Sequence, residues 1–271
     1  MITDIITLSP FEEATLTANC LSNLSDLNQA PRDAVIVCPG GGYHALSERE
    51  GEPIAARFLG AGFATFVLRY TISEGAADHK PLKQAALAIR HVRENAEKYN
   101  VNPNRIFICG FSAGGHLAGS AGAMWNDPAL DELMQDAPRD ICRPTGMILS
   151  YPVISGGEYA HKKSFYNLCG TETPTDEQLD HFSLEKRVDA TTPPAFIWHT
   201  FPDTCVPVQN SLLMASAMRA AGVPFELHIF PDGPHGLALC DESTWSQNPA
   251  MLVPHNECWI DLAIRWMRDL K

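Results

Sequence analysis

The 271 residues contain eight cysteines but no CxxC pair, so the chain encodes neither a zinc ribbon nor a disulfide-framed scaffold. Apolar runs are all shorter than the roughly 18 residues of a membrane span. Asp4 stands where a signal peptide would need a basic end followed by an unbroken apolar stretch. Basic residues are scarce: 20 Lys plus Arg face 32 Asp plus Glu, a net charge of -12 that repels phosphate backbones and anionic lipid. No GxGxxG or GK[ST] supports nucleotide binding, no HExxH supports a zinc enzyme, and there is no repeat, low-complexity tract or interdomain linker. These absences lead us to expect a cytoplasmic protein with a small-molecule partner, without metal, nucleic acid or membrane. A homo-oligomer is left open.

The content is that of a folded domain: 45% of the residues are hydrophobic, enough for a sizeable core. From about residue 33, short β-branched or aromatic runs alternate with stretches of helical period, which predicts an α/β fold with a mostly parallel sheet flanked by helices. The strand runs are Ala34 to Cys38, Phe63 to Tyr70, Ile106 to Cys109, Met147 to Tyr151, Ala195 to Trp198 and Phe225 to Phe230. Helical stripes cover Pro81 to Tyr99, Val208 to Ala221 and the end from Trp259 to Leu270. The opening thirty residues read as one or two strands, Ile5 to Leu8 and Ala14 to Cys20, on an antiparallel edge. One domain, 1–271, is the simplest count, with 152–194 as a cap or long loop.

Gly110-Phe111-Ser112-Ala113-Gly114 follows a strand run and precedes a stretch of small residues that can start a helix. That is the context of a nucleophile elbow, where a tight turn lifts a serine hydroxyl above the sheet. A serine needs a base, and the base needs a carboxylate to fix its tautomer. Asp203 and His235 follow in that order, each just past a strand run, at the sheet edge where α/β proteins carry their sites. Asp203 is also placed to cap a helix, and Asp232 is the rival acid, although its position three residues before His235 suits turn formation better. Pro39-Gly40-Gly41-Gly42-Tyr43 follows the first parallel strand run, and we assign the amides of Gly41, Gly42 and Ala113 as oxyanion donors. Tyr43, Phe111 and Trp198 are candidate walls of an acyl pocket, whereas His44, His116 and His199 could line the site but suit packing or support better.

These stretches resemble serine esterases of the α/β-hydrolase fold, the acetylesterase and acetylxylan-esterase-like group related to hormone-sensitive-lipase-like enzymes. The likeness runs from about Ala34 to the end through Pro39 to Tyr43, Ser47 to Pro53, Phe63 to Tyr70, Arg105 to His116, Thr192 to Phe196, Asp203 to Pro207 and Gly233 to Gly236. It implies Ser112 as nucleophile, His235 as base and Asp203 as orienting acid, with no cofactor. It also implies hydrolysis of short-chain esters, acetate first, from a carbohydrate or other alcohol through an acyl-enzyme. Pro39 departs from the lipase-like branch, which has His there. An amidase, peptidase or arylformamidase on the same scaffold, or a binding protein without turnover, are the alternatives.

Overall fold

Period-two alternation divides the side chains of the central strands between two apolar layers. In the strand Arg32–Cys38, Ala34, Ile36 and Cys38 enter one layer while Val35 and Val37 enter the other. The computed structural model describes residues 1–22 and 30–271. In chain order its strands and helices are β1 Ile2–Leu8, β2 Phe11–Cys20, β3 Arg32–Cys38, α1 Glu52–Gly60, β4 Ala64–Arg69, α2 Lys80–Glu94, α3 Ala96–Tyr99, β5 Val101–Phe111 and α4 Ala113–Ala123. Then come α5 Asp131–Met134, β6 Gly146–Ser150, α6 Lys162–Cys169, α7 Asp176–Phe182, β7 Ala195–Thr200, α8 Gln209–Ala221, β8 Phe225–Phe230 and α9 Trp259–Asp269.

One eight-stranded sheet runs β1-β2-β4-β3-β5-β6-β7-β8. The first hairpin is antiparallel and β2 joins β4 antiparallel; every later pair is parallel. The buried residues of α2, α4 and α8 pack in one layer, and those of α1 and α9 in the other. In the second layer Trp198 of β7 stacks on Trp259 of α9 with ring centroids 5.0 Å apart. Burying an aromatic of that size contributes about 3 kcal/mol.

The predicted elements are present, and two of their boundaries move for local reasons. The expected helix from Pro81 to Tyr99 breaks after Glu94, where the Asn95 side chain donates to His91 O at 2.8 Å, and the chain resumes as the short α3. Strand β5 starts at Val101, earlier than the apolar run, because Val101 pairs with Arg32 across a register shift. Pro103 lies beside that irregularity, a position a strand proline tolerates. Edge strand β8 is only half-buried along most of its length, and its His228 and Glu226 are paired at 2.7 Å.

The segment 152–194 leaves β6 through buried Pro152, Val153 and Ile154, then forms α6 and α7. Thr175 and Gln178 make a reciprocal capping box at the start of α7. Phe165, Leu168, Phe182 and Leu184 seat this segment on the α2 and α4 layer. Asn167 of α6 donates to Gly42 O at 2.9 Å, which attaches the segment to the glycine turn after β3.

Candidate active site

Ser112 sits between the last residue of β5 and the first of α4 with φ 54° and ψ -117°. A non-glycine residue holds such a conformation only where its surroundings enforce it. Here Ser112 N–H donates to Ser150 O at 3.0 Å, and Ser112 O accepts from the amides of His116 and Val153, each at 3.0 Å. The tightness also explains Gly110, since a Cβ there would lie 1.9 Å from Gly114 O. The serine is buried but for 7% of its surface.

β7 and β8 deliver the other two groups. His235 Nε2 lies 2.8 Å from Ser112 Oγ, and His235 Nδ1 lies 2.6 Å from Asp203 Oδ2. A carboxylate only accepts, so Nδ1 carries the proton and Nε2 is free to accept from the serine hydroxyl. Asp203 is also a turn former, as its cap-like position suggested: Oδ1 accepts from the amides of Cys205 and Val206 at 2.9 Å each. Burial alone would raise its pKa, but hydrogen bonds from His199 and His235 outweigh that and hold the carboxyl well below the ordinary range. Asp232 is exposed, and its backbone carbonyl accepts from Asn256 Nδ2 at 2.8 Å.

The amides assigned to the oxyanion lie at the same place. Gly41 and Gly42 line a cavity of about 330 Å³ together with Ser112 and His235. Among the described residues neither their N–H groups nor that of Ala113 meets a protein acceptor. Gly40 differs: its N–H donates to Glu50 Oε2 at 2.9 Å. His44, Arg49, His161, Lys163 and Cys205 contribute to the same cavity.

All three expected pocket aromatics are corrected. Tyr43 is 1% exposed, and its hydroxyl donates to His116 Nδ1 at 2.9 Å, so the ring lies beneath the glycine turn instead of facing the cavity. Phe111 is fully buried against Tyr151 and Trp259, because its side chain points into the α9 layer of the sheet. Trp198 is core for the same reason. Of the other histidines, His199 packs under Asp203 with Nε2 3.3 Å from Oδ2, and its Nδ1 lies 2.8 Å from Ser211 Oγ.

Sequence reasoning left Glu50 and Tyr151 unassigned. Glu50 is 3% exposed and accepts from the Gly40 amide and from the Tyr151 hydroxyl at 2.7 Å. The same tyrosine accepts from Ala238 N at 2.9 Å, and its ring meets the His235 ring edge-on at 5.1 Å. One signal was available: Tyr151 directly follows β6, at the same sheet edge as the serine, acid and histidine. Arg49, like Glu50, lies in the matching stretch Ser47 to Pro53, which by itself assigns it no role, and Lys163 has no motif to announce it.

Comparison with known proteins agrees with this architecture. The BD-FAE family model matches residues 23–218. The endo-1,4-beta-xylanase B of Butyrivibrio fibrisolvens is 44% identical over 221 residues, covering 79% of this chain and 34% of that protein. The acetylxylan esterase of Xylanibacter ruminicola is 35% identical over 232 residues, covering 84% of this chain and 45% of the relative. The chain thus spans less than half the length of either. Among solved structures, the acetyl ester-xyloside bifunctional hydrolase from Caldicellulosiruptor lactoaceticus superposes with a TM-score of 0.80 at 37% identity, covering 94% of this chain and 87% of that one.

Proposed function

Since this chain belongs to the BD-FAE family and has the α/β-hydrolase fold, we propose that it is a serine esterase that removes short acyl groups, acetate first, from carbohydrates. The observation that carries this reading is the unbroken contact series Asp203–His235–Ser112 opening onto a cavity whose glycine amides have no protein acceptor among the described residues. In this reading Ser112 Oγ attacks the ester carbonyl as His235 Nε2 takes its proton. Asp203 holds the imidazole in the required tautomer and stabilises the cation that forms. The amides of Gly41, Gly42 and Ala113 receive the oxyanion, a contribution of about 3 kcal/mol per donor to the barrier. His235 then protonates the leaving alcohol, and water repeats the sequence in reverse to free the acid.

Three facts support a small acyl group on a sugar. A cavity of about 330 Å³ is at the small end of the roughly 300–1,000 Å³ range of ligand pockets. Arg49, Lys163 and His44 set polar groups around it, suited to the hydroxyls of the alcohol portion. Two of the similar proteins are described by their names as acting on acetylated xylan or on acetyl esters and xylosides. All eight cysteines are free thiols, which suits a reducing compartment and the cytoplasmic placement we propose.

The test is hydrolysis of p-nitrophenyl acetate, butyrate and octanoate beside acetylated xylo-oligosaccharide, with Ser112→Ala as control. Release from the acetate that falls steeply with chain length and vanishes in Ser112→Ala is expected. Unchanged hydrolysis by that variant, or no release from any ester, would sink the proposal.

A further inference from the structure

Away from the serine, three side chains from distant parts of the chain converge with the donor types of a metal centre. His79 precedes α2, Asp127 follows α4, and His181 lies in α7. Their ligand atoms all lie within 4.8 Å of one another. His79 Nε2 and His181 Nε2 are 2.7 Å apart, and His181 Nε2 is 3.7 Å from Asp127 Oδ2. Zinc–nitrogen and zinc–oxygen bonds near 2.0–2.1 Å put tetrahedral ligands about 3.3 Å apart. These two separations straddle that value and the third pair lies within 4.8 Å, so ring movements of at most about 1.5 Å would bring the three donors to ligating distance.

We propose that His79, His181 and Asp127 form a binding site for a divalent transition-metal ion, Zn2+ being the natural fit, with water completing the coordination. The donor set is two imidazoles and one carboxylate, which suits zinc and its neighbours in the first transition row and is poor for Ca2+ or Mg2+. Water can reach the two imidazoles, because His79 and His181, though not Asp127, line a cavity of about 310 Å³.

The surroundings are consistent with ligation. Burial, the largest cause for both, lowers each imidazole's pKa and so favours the neutral form that has a lone pair to give. With two neutral rings meeting Nε2 to Nε2, one donates its N–H to the other. On metal binding that ring moves its proton to Nδ1, and neither imidazole need release one. Asp127 is 4% exposed; its Oδ1 accepts from Ala129 N at 3.0 Å, and Arg187 Nη2 meets its Oδ2 at 3.0 Å. The carboxylate is therefore already oriented. A carboxylate oxygen accepts from two directions, so Arg187 and a metal can share Oδ2.

The ion would join three separately folded segments: the entry to α2, the turn after α4, and α7 of the 152–194 segment. That is a structural staple on a region whose α6 also reaches the glycine turn, and it is independent of the ester chemistry. The test is titration of the chelator-stripped full chain with Co2+, read by its visible d–d bands, and with Zn2+, read by calorimetry. We expect one equivalent per chain, a rise in Tm with Zn2+, and shifts confined to the His79 and His181 ring signals in NMR spectra of the unaltered protein. His79→Ala and His181→Ala should each weaken binding by more than the roughly 10–100-fold that losing an outer partner costs, with hydrolysis of p-nitrophenyl acetate unchanged. No saturable binding, or equal binding by both variants, overturns the proposal. If a variant fails to fold, the ring signals of the unaltered protein decide: no shift with Zn2+ refutes the site.

Discussion

The Tyr151 hydroxyl donates to Glu50 Oε1 at 2.7 Å in the buried layer directly under the proposed catalytic groups. That pair joins three loops. Glu50 reaches the glycine turn through Gly40 N–H, and Tyr151 reaches the His235 loop through Ala238 N–H while its ring packs edge-on to His235. Burial first, and Glu50 second, push the phenol well above its ordinary pKa, so it remains a donor at any working pH. The glycine turn of the proposed oxyanion site and the loop of the proposed base are thus fixed relative to each other by one carboxylate.

Glu50→Ala is therefore expected to lower both stability and rate. It orphans the Gly40 amide and the Tyr151 hydroxyl, each at a cost of about 1–3 kcal/mol when buried. Glu50→Gln retains one acceptor oxygen but turns an NH2 toward the other donor, so it should lie between the two. Urea unfolding would show this order. Equal stability for the Ala variant and the parent would mean that the network carries no structural load.

Asp203 and Asp232 are separated by the same logic. Asp203→Asn should cut kcat by roughly 10⁴ if the carboxylate sets the tautomer of His235, whereas Asp232→Asn should leave it unchanged. Because the folded-state pKa of Asp203 is depressed, its contribution to stability is present above the unfolded carboxyl value and is lost as pH falls through the folded one. Acid unfolding curves for Asp203→Asn should accordingly be flatter below about pH 4. A rate loss in Asp232→Asn and not in Asp203→Asn would reverse the assignment.

Much of this was readable because the relevant groups occupy the carboxyl ends of parallel strands. Ser112, Asp203 and His235 each follow a run that alternation alone marks as strand, so the fold and the meeting of these three residues were both legible. The side-chain direction of a residue inside a strand was not. Phe111 adjoins the serine in sequence, yet points into the opposite layer, and Tyr43 adjoins the glycine turn but folds beneath it onto His116. Neighbourhood in sequence says nothing about which face a ring enters. Glu50 and Tyr151 escaped because each is a lone residue whose partner is 101 positions away. The trio His79, Asp127 and His181 escaped for the same reason: no short spacing links them.

Gly41 has a role that no side chain can share. Its φ is 128°, and a Cβ there would lie 2.1 Å from Ala45 O, the carbonyl of a residue whose own amide donates back to Gly41 O at 3.0 Å. Gly41→Ala must therefore open this turn. If Gly41 and Gly42 hold the oxyanion, kcat should drop by about 10²–10³ while Ser112 remains reactive toward a small organophosphonate, a readout that general unfolding would also abolish. Full activity in Gly41→Ala would remove these amides from the mechanism.

His116 gives the stability of the fold a dependence on mild acid. It is 1% exposed; Phe182 O, which can only accept, lies 2.8 Å from Nε2, so that nitrogen carries the proton and Nδ1 accepts from Tyr43. Burial lowers its pKa to about 4, and the bond to Phe182 O offsets only part of that. The unfolded chain takes up a proton near pH 6.5 while the folded one does not, so the stability His116 provides is complete above that pH and is lost as pH falls toward 4. Between pH 6.5 and 5 the loss should be about 1.5 kcal/mol. Gln at this position can still donate to Phe182 O and accept from Tyr43, but it does not titrate. Urea unfolding of His116→Gln and the parent across this window isolates the effect, because the remaining histidines are common to both. The parent curve should fall more steeply by that amount; parallel curves would show that the imidazole is charged in the folded protein.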